Sequence, residues 1–432
     1  MKNCISLIVF GFLVLAGNAQ FNPAPAPKQT KSILILNATA HLGTGESIDN
    51  AAIGFKDGKI TLVADARTIR IDMSAYDTII QAAGKHVYPG FIASNSTLGL
   101  HEIDAVRAFN DVAEVGTFKP SVRSAIAFNT DSEVTPTVRS NGVLLGQITP
   151  RGGTISGTSS VMHFDAWNWE DALIREDDGI HLNWPQVYHR HYDKGKIAIE
   201  RVKSYDQQLA DISLFFNEAR AYSNSVSTGI TEIRFEAMRD LFSGRKTLYV
   251  HADDVKAISE ALRFKKEMGI PKMVIIGGYD SWMIADDLRE AGVGVMIRRV
   301  HSLPELTGDD IDLPFRLAKL LHDKKVIFAF QNEGDMERMG VRNLPFHAGT
   351  AVAFGLPYEQ AVRGLTLNAA ILLGIDNYMG SIEVGKSATL FISEGDALDM
   401  RTNNVTAAFI DGRMLHLTDK HKILYERYKN RD

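Results

Sequence analysis

Three side chains at the ends of apolar runs are of the types that carry acid–base or metal chemistry. His251 follows the apolar residues 247–250, and Glu333 and Asp335 follow residues 326–330. An imidazole exchanges protons near neutral pH, and a carboxylate accepts a proton or orients the imidazole that does. Both groups also bind divalent ions such as zinc. The competing interpretation is structural, with a hydrogen-bonded histidine at a strand end and acids in a solvated loop.

A glycine-rich stretch at residues 149–160 suggests a second kind of chemistry, the binding of an anion. Its glycines allow backbone conformations that gather N–H groups into an anion-binding nest, and Arg151 can hold a carboxylate or phosphate through two contacts. We therefore predict Arg151 as a substrate-binding residue. A flexible loop that uses glycine only for its turns is the alternative.

Two further pairs combine histidine with another metal-binding residue type. His163 and Asp165 form a His-x-Asp, and His189 and His191 form a His-x-His. The second pair lies among charged residues, which is typical of an exposed loop, whereas metal ligands need rigid surroundings. We predict that His189 and His191 are exposed loop residues.

The segments that must position these side chains alternate between apolar runs and amphipathic helices. The apolar runs are residues 91–92, 142–148, 247–250, 273–276, 293–297 and 326–330. Apolar strands joined by helices form parallel sheets buried on both faces, and the number of runs favours an α/β fold with a (β/α)8 TIM-type barrel. The third and fourth strands are not assigned. In such a barrel, catalytic side chains lie at the carboxyl ends of the strands.

The two ends of the chain follow a different pattern, with short β-like runs and turn residues. Asp57-Gly58 and Asp411-Gly412 are typical hairpin turns. We predict one small β-sandwich built from both ends. Residues 151–206 are too long and irregular for a single connection, so we predict an insertion that covers the mouth of the barrel.

The predicted domain plan covers the whole chain. It consists of a signal peptide (1–19), a linker (20–31), the amino-terminal part of the sandwich (32–87), the barrel (88–375) with its insertion (151–206), the carboxyl-terminal part of the sandwich (376–418) and a tail helix (419–432).

The first 19 residues have the features of a secretory signal peptide. Lys2 precedes mostly apolar residues 5–16, and small residues precede Gln20. The apolar run is too short to span a bilayer comfortably, so cleavage is favoured over anchoring. We therefore predict an exported protein, periplasmic or extracellular.

Composition limits the classes of partner. With 45% hydrophobic and 23% charged residues, the chain has the balance of a soluble globular protein. Its only cysteine, Cys4, lies in the segment to be removed, so the mature chain has no thiolate ligand. Loss of Lys2 changes the formal net charge from -5 to -6, which argues against binding to nucleic acid or to a membrane after signal removal.

Four short motifs occur in a specific order along the chain. They are P-G-F-I at 89–92, R-N-L-P-F at 342–346, L-T-L-N-A-A at 365–370 and G-S-I-E-V-G-K at 380–386. The first resembles the start of the amidohydrolase superfamily motif P-G-F-I-D-x-H-x-H, and the rest resemble motifs of its imidazolonepropionase-like group. The resemblance extends from about residue 32 to 413. It implies a barrel that hydrolyses carbon–nitrogen bonds in non-peptide amides, with one or two divalent ions.

The same resemblance assigns residues of this chain to the family's metal positions. Asn95 and Thr97 stand at the two first-strand histidines, His251 at the fifth-strand histidine, Gly277 at the sixth-strand histidine and Asn332 at the eighth-strand aspartate. One ligand of five remains, whereas a catalytic zinc needs three protein ligands. His251 is thus the single metal-ligand candidate for a zinc-type divalent ion, and we predict substrate binding by Asn95, Thr97 and Asn332.

These observations lead to two functions. The first is an exported amidohydrolase-type hydrolase with an altered metal site, in which His251, Glu333 and Asp335 are catalytic. The alternative is a catalytically silent relative that binds a ligand or is the partner subunit of an active amidohydrolase. A carbohydrate- or peptide-binding envelope protein is a third interpretation, based on export and on Trp167, Trp169 and Trp184. The predicted partners are a small molecule and a second barrel, either a copy of this chain or an active relative.

Overall fold

The computed structural model describes residues 24–103, 106–193, 196–225, 231–306, 308–334 and 336–430, with only the backbone at 189–193 and 196–199. The predicted signal peptide and Asp335 lie outside the described residues. The side chains of His189 and His191 lie outside them as well, so their exposure remains a prediction, but the backbone of both residues lies in the strand Tyr188–Asp193, and the prediction of a loop there is wrong because this segment pairs with residues 196–201.

The strands and helices are numbered in chain order. The strands are β1 (Ile33–His41), β2 (Ser47–Lys56), β3 (Lys59–Asp65), β4 (Thr78–Gln81), β5 (His86–Pro89), β6 (Phe91–Ser96), β7 (Val143–Ile148), β8 (Ile155–His163), β9 (Leu173–Asn183), β10 (Tyr188–Asp193), β11 (Lys196–Arg201), β12 (Thr247–Ala252), β13 (Met273–Gly277), β14 (Gly294–Ile297), β15 (Phe328–Phe330), β16 (Leu390–Ser393), β17 (Val405–Ile410) and β18 (Arg413–Met414). The helices are α1 (Val134–Arg139), α2 (Trp169–Ala172), α3 (Tyr205–Asn224), α4 (Ile233–Phe242), α5 (Val255–Met268), α6 (Ala285–Glu290), α7 (Leu313–Asp323), α8 (Glu337–Gly340), α9 (Leu344–Ala353), α10 (Tyr358–Leu365), α11 (Leu367–Leu373) and α12 (Lys420–Tyr428).

Strands from both ends of the chain form one sheet in the order β18-β17-β16-β5-β1-β2-β3, with β4 also paired to β1. Strand β5 joins the two halves because it pairs with β1 and with β16, and it extends the sheet two residues past the predicted boundary at 87. Asp57-Gly58 and Asp411-Gly412 have positive φ at both residues, as a tight hairpin turn requires. The structure thus shows a joint sheet, while its arrangement as a sandwich remains a prediction.

The remaining sheet is a nearly closed barrel in the order β6-β7-β8-β9-β12-β13-β14-β15. Ser94 pairs with Gln331 across the gap between the first and last strands. Strands β9, β12, β13, β14 and β15 run parallel, as do β6 and β7. This arrangement fits a TIM-type barrel, with its interior and surrounding helices packed into one apolar core.

Two barrel strands, β8 and β9, lie inside the segment predicted as an insertion. The prediction of an insertion at residues 151–206 is therefore wrong for these residues, which form the third and fourth strands. Strand β8 also runs antiparallel to both neighbours. Its sequence, I-S-G-T-S-S-V-M-H, resembles a loop in composition, yet all nine residues are buried because small side chains fit the barrel interior. Among the strands of the described residues, only the hairpin β10–β11 stands apart from both large sheets.

Helix α5 shows how the sequence fixes the layer around the barrel. The side chain of Asp254 accepts a hydrogen bond from the backbone of Ala257, and Gly269 ends the helix with φ 65°. Ala257, Ile258 and Ala261 are buried against the strands. Both ends of the helix and its buried face therefore follow from the sequence. None of the described helices combines the length and apolar character that a membrane-spanning helix needs.

Candidate active site

The carboxyl ends of the parallel strands bring polar side chains from distant parts of the chain together. Asn95 lies in β6, His251 in β12, and Glu333 follows β15. Asn95 Nδ2 donates to Glu333 Oε2 at 3.1 Å, and His251 Nδ1 lies 3.6 Å from Glu333 Oε1. The structure thus places Glu333 and His251 in one site, and Glu333 is its centre.

The electrostatic surroundings of Glu333 keep its carboxylate ionised. Burial alone would raise its pKa, but the neighbouring His251, the positive charge of Arg151 and the amide of Asn95 outweigh burial and lower the pKa to about 2. His251 Nδ1 lies 3.6 Å from Glu333 Oε1, so the two side chains form an ion pair when the imidazole is protonated. A carboxylate with such a pKa is a weak base, so it suits the role of orienting and stabilising a protonated imidazole.

A chain of polar contacts leads from His251 into the barrel. His251 Nε2 lies 3.0 Å from His181 Nδ1, and His181 Nε2 lies 2.9 Å from Ser159 Oγ, which donates to Asp178 Oδ1 at 2.7 Å. Tyr249 also donates to Asp178, at 2.7 Å. Burial raises the pKa of Asp178, and burial together with His251 and Arg151 lowers the pKa of His181. His251 is therefore backed by a buried chain of polar side chains in hydrogen-bond contact.

Arg151 is held against strand β6 rather than projecting freely from a loop. Its guanidinium donates to Asn95 Oδ1 at 2.9 Å and to the Asn95 carbonyl at 2.8 Å. The turn after it uses Gly152 and Gly153, both with positive φ. A Cβ at Gly153 would lie 2.8 Å from two backbone oxygens, so the close approach requires glycine there.

The structure corrects the prediction of an anion-binding nest at residues 149–160. The amide of Arg151 donates to the Val112 carbonyl, and the amides of Thr154 and Ile155 both donate to the Thr117 carbonyl. These N–H groups are used within the fold and do not face an anion. The glycines of this stretch serve a turn and a strand.

Glu337 occupies the space around two predicted substrate-binding residues. Its carboxylate accepts from the Thr97 amide at 3.0 Å, from the Thr97 hydroxyl and from Ser96 Oγ at 2.8 Å. The side-chain amide of Asn332 donates to the Glu337 carbonyl at 3.0 Å. Thr97 still lines a cavity, whereas Asn332 is buried and lines neither of the two cavities at the mouth.

Two cavities open beside Glu333, which lines both. The smaller, about 290 Å³, is also lined by Arg151, Thr97 and Arg338. The larger, about 580 Å³, is lined by His251 and by acidic and aromatic side chains. These are Asp253, Asp254, Asp280, Glu305, Trp184, Tyr188 and Tyr279, with Arg298 as a basic residue among them. A substrate that spans both cavities would pass Glu333 and His251.

Asp253 is an acid of the larger cavity whose pKa is raised, in contrast to that of Glu333. Desolvation raises its pKa to about 6 although half of the side chain remains exposed, opposed by Arg298, whose Nη1 lies 3.6 Å from Asp253 Oδ2, and aided by the charge of Glu333. A Cβ at Gly277, which has φ 94°, would lie 2.5 Å from Asp253 Oδ1. The Asp253 carboxylate thus takes up the space that a side chain at position 277 would need.

The donor set at the mouth does not fit a divalent ion. Asn95 is held by Arg151, Asn332 by Glu337, and Gly277 has no room for an imidazole. His251 Nε2 contacts His181 at 3.0 Å, which leaves Nδ1, 3.6 Å from Glu333 Oε1, as the one nitrogen of this imidazole that can accept a proton or a ligand. Within the described part of the chain, no three His, Cys, Asp or Glu side chains are grouped to hold a metal ion.

The pair His163 and Asp165 does not belong to the site. Because β8 is antiparallel, its carboxyl end lies at the opposite end of the barrel. There Asp165 binds Arg139 and Arg413, and the buried His163 has a lowered pKa because of burial and the charge of Arg413. Of the tryptophans, Trp184 lines the larger cavity and Trp167 is exposed.

Several residues of the site were not predicted from the sequence. They are Gln147, Ser159, Asp178, His181, Tyr249 and Glu337. His181 carried a signal, because Gly179 to Asn183, G-I-H-L-N, ends in a polar residue after apolar ones, much as L-Y-V-H does in β12. The others lie within strands or, for Glu337, in helix α8, and have no local pattern.

Comparison with known proteins agrees with this geometry. The Amidohydrolase family profile matches residues 246–415. An amidohydrolase from Thermotoga maritima MSB8 is 22% identical, with a TM-score of 0.75 over 89% of this chain and 99% of that one. A Xaa-Pro dipeptidase with bound methionine in its active site (14%, TM-score 0.55, 89% and 100%) and the A. niger ochratoxinase (13%, 0.52, 89% and 95%) share the fold. No curated protein sequence matches the chain.

The family profile and the Thermotoga maritima structure cover different shares of the chain. The family match covers β12 to β18, which include His251 and Glu333, and the solved amidohydrolase extends the likeness in fold across the barrel and the joint sheet. The sequence match to the Amidohydrolase family is thus confined to residues 246–415, and the solved structures show that the chain shares the fold.

Proposed function

We propose that the chain is an exported hydrolase of the imidazolonepropionase-like group that cleaves a carbon–nitrogen bond without an inherited metal site. The observation that carries this proposal is the position of Glu333, which lines both cavities and faces His251. The match of residues 246–415 to the Amidohydrolase family and the hydrolases that share the fold support a hydrolase-like function.

In this mechanism, His251 transfers the proton and Glu333 supports it. His251 removes a proton from water, whose oxygen attacks the substrate carbonyl carbon, and the Glu333 carboxylate stabilises the imidazolium that forms. The proton then passes from His251 to the leaving nitrogen as the carbon–nitrogen bond breaks. The products are a carboxylic acid and an amine. His181, Ser159 and Asp178 hold the imidazole in position through the buried contacts of His251 Nε2.

Turnover by matched variants tests this proposal. The purified mature chain would be assayed with cyclic and linear amides, for example hydantoin and N-acetyl amino acids. We expect His251→Asn and Glu333→Gln each to lower kcat by about 10²–10⁴ while the circular dichroism spectrum is unchanged. His416→Asn, at an exposed histidine far along the chain, is the control. Turnover that survives in His251→Asn would remove the histidine from the mechanism.

The second candidate is a silent ligand-binding relative or a partner subunit. It is favoured by the closed metal positions, because each polar group there already has a protein partner. For this function, ligands of the same amide panel should raise the melting temperature of the wild type without any turnover. Co-purification with an active barrel protein, or a homo-oligomer by light scattering, would support the subunit role.

Export follows from the proposed signal peptide at residues 1–19. Amino-terminal sequencing of protein isolated from its native cell envelope or medium should begin at Gln20. A chain recovered with Met1 in the cytoplasmic fraction would contradict export.

A further inference from the structure

Arg151 stands where the chain has lost its ability to bind a metal ion. Its guanidinium makes two contacts with Asn95, the residue at the first metal-histidine position, and a longer one with the Thr149 carbonyl at 3.4 Å. The same Asn95 donates to Glu333. A fixed cation, an amide and the central carboxylate thus form one connected unit at the mouth.

We propose that Arg151 is a built-in cation that takes the electrostatic place of a divalent ion at this mouth, and that it binds the substrate's carbonyl or carboxylate oxygen from the smaller cavity. This proposal rests on the proposed function. It assigns to the protein itself the positive charge that hydrolysis of an amide needs as negative charge develops on the carbonyl oxygen.

The donors of Arg151 suit this role. A guanidinium has five N–H groups in a planar fork, and in the described chain its acceptors are Asn95 and Thr149 alone. Arg151 also lines the smaller cavity, so its remaining donors are available to an oxygen bound there. Guanidinium groups hold carboxylates and oxyanions through paired contacts, and they stay charged at any physiological pH.

The charge of Arg151 also acts on its neighbours as a bound cation would. It contributes to the low pKa of Glu333 and to the lowered pKa of His181. A second cation brought into this space would be repelled by the guanidinium. The proposal therefore explains why the mouth retains a carboxylate and two histidines without being a metal site.

Metal binding by charge-matched variants tests the proposal without any assay of turnover. Zinc chloride would be titrated into metal-free wild type, Arg151→Lys and Arg151→Met, and isothermal titration calorimetry would measure the zinc affinity of each protein. Arg151→Lys keeps the charge, and Arg151→Met removes it. We expect wild type and Arg151→Lys to bind zinc weakly at this site, and Arg151→Met to bind it at least about tenfold more tightly, because one nearby positive charge has been removed.

Further variants make the result specific. His251→Asn in the Arg151→Met background should abolish the gained zinc affinity. If Arg151→Met does not fold, Arg151→Gln, which is neutral and keeps a donor for Asn95, takes its place. Equal zinc affinity in Arg151→Lys and the neutral variant would overturn the proposal, as would stoichiometric, tight zinc in the wild type that is lost in His251→Asn. Failure to find a hydrolysed amide leaves this test unaffected, so the two proposals fail independently.

Discussion

The buried carboxylate of Asp165 ties the barrel to the joint sheet, and its removal should weaken the whole fold. Asp165 Oδ1 accepts from Arg139 Nη1 at 2.5 Å, and Oδ2 accepts from Arg413 Nη1 at 3.1 Å and from the Ala26 amide at 2.9 Å. The side chains of Asp165 and Arg139 are only 4% and 5% exposed, and that of Arg413 is 12% exposed. The Asp165 carboxylate therefore binds helix α1 through Arg139, strand β18 through Arg413 and the segment before β1 through Ala26.

The magnitude follows from what Asp165→Asn leaves behind. The variant removes one negative charge and leaves two guanidinium groups desolvated, and loss of one partner from a buried ion pair costs about 3–5 kcal/mol. Since the amide oxygen still accepts one hydrogen bond and Arg413 keeps some solvent contact, we expect a loss near the lower end, about 3 kcal/mol. Burial already lowers the pKa of Arg139, so the guanidinium depends on its partner.

Urea unfolding, followed by circular dichroism and tryptophan fluorescence, measures this loss. The control is Asp206→Asn, which removes a carboxylate from the exposed pair with Arg201, whose side chain is 60% exposed. An exposed ion pair contributes little, so the control should unfold at nearly the wild-type urea concentration. If Asp165→Asn shows the same midpoint as the control, the carboxylate does not hold the two sheets together and the reasoning is wrong.

Two further predictions concern the wall of the larger cavity. The folded-state pKa of Asp253, about 6, exceeds its ordinary value of 3.8. Ionisation of Asp253 therefore destabilises the folded state, and this loss of stability develops as the pH rises from about 4 to 6. Asp253→Asn should therefore melt at a higher temperature than wild type above pH 6, and a gap that does not close toward pH 4 would contradict this. Gly277→Ala should cost about 1–3 kcal/mol in urea unfolding, because the new Cβ meets Asp253 Oδ1 at 2.5 Å with φ 94°. Adding Asp253→Ala should recover part of that loss, and no recovery would refute the contact.

Much of the barrel could be predicted because most of its strands consist of continuous runs of apolar residues. Strands β12, β13 and β14 are apolar and fully or almost fully buried, and the helices between them have one apolar face. Strand β8 could not be recognised from its sequence, because its glycine and serine residues have the composition of a loop. In the structure, these small residues fill the crowded interior of the barrel. Its reversed direction depends on long-range pairing with β7 and β9, which no local pattern encodes.

The site was predictable only where a side chain follows a recognisable strand. His251 and Glu333 meet that condition, and the structure brings them to 3.6 Å. Arg151 was found from its glycine neighbours, but its grip on Asn95 depends on the packing of the turn. Glu337 gave no signal, because its role arises from contacts with Ser96 and Thr97 more than 200 positions earlier in the chain.

At the mouth, separate neighbours fill the positions that the family resemblance assigns to metal ligands. A buried amide or acid without a partner costs about 1–3 kcal/mol, so ligands lost without replacement would leave orphaned groups behind. Asn95, Asn332 and the space above Gly277 are instead taken by Arg151, Glu337 and Asp253. In the described chain, the Nε2 group of Gln331 and the hydroxyl of Thr149 are nevertheless buried at this mouth without a protein partner. Because both groups sit beside Asn95 or Arg151, we expect an ordered water or a substrate oxygen to bind there, which makes this mouth a polar binding site rather than a sealed one.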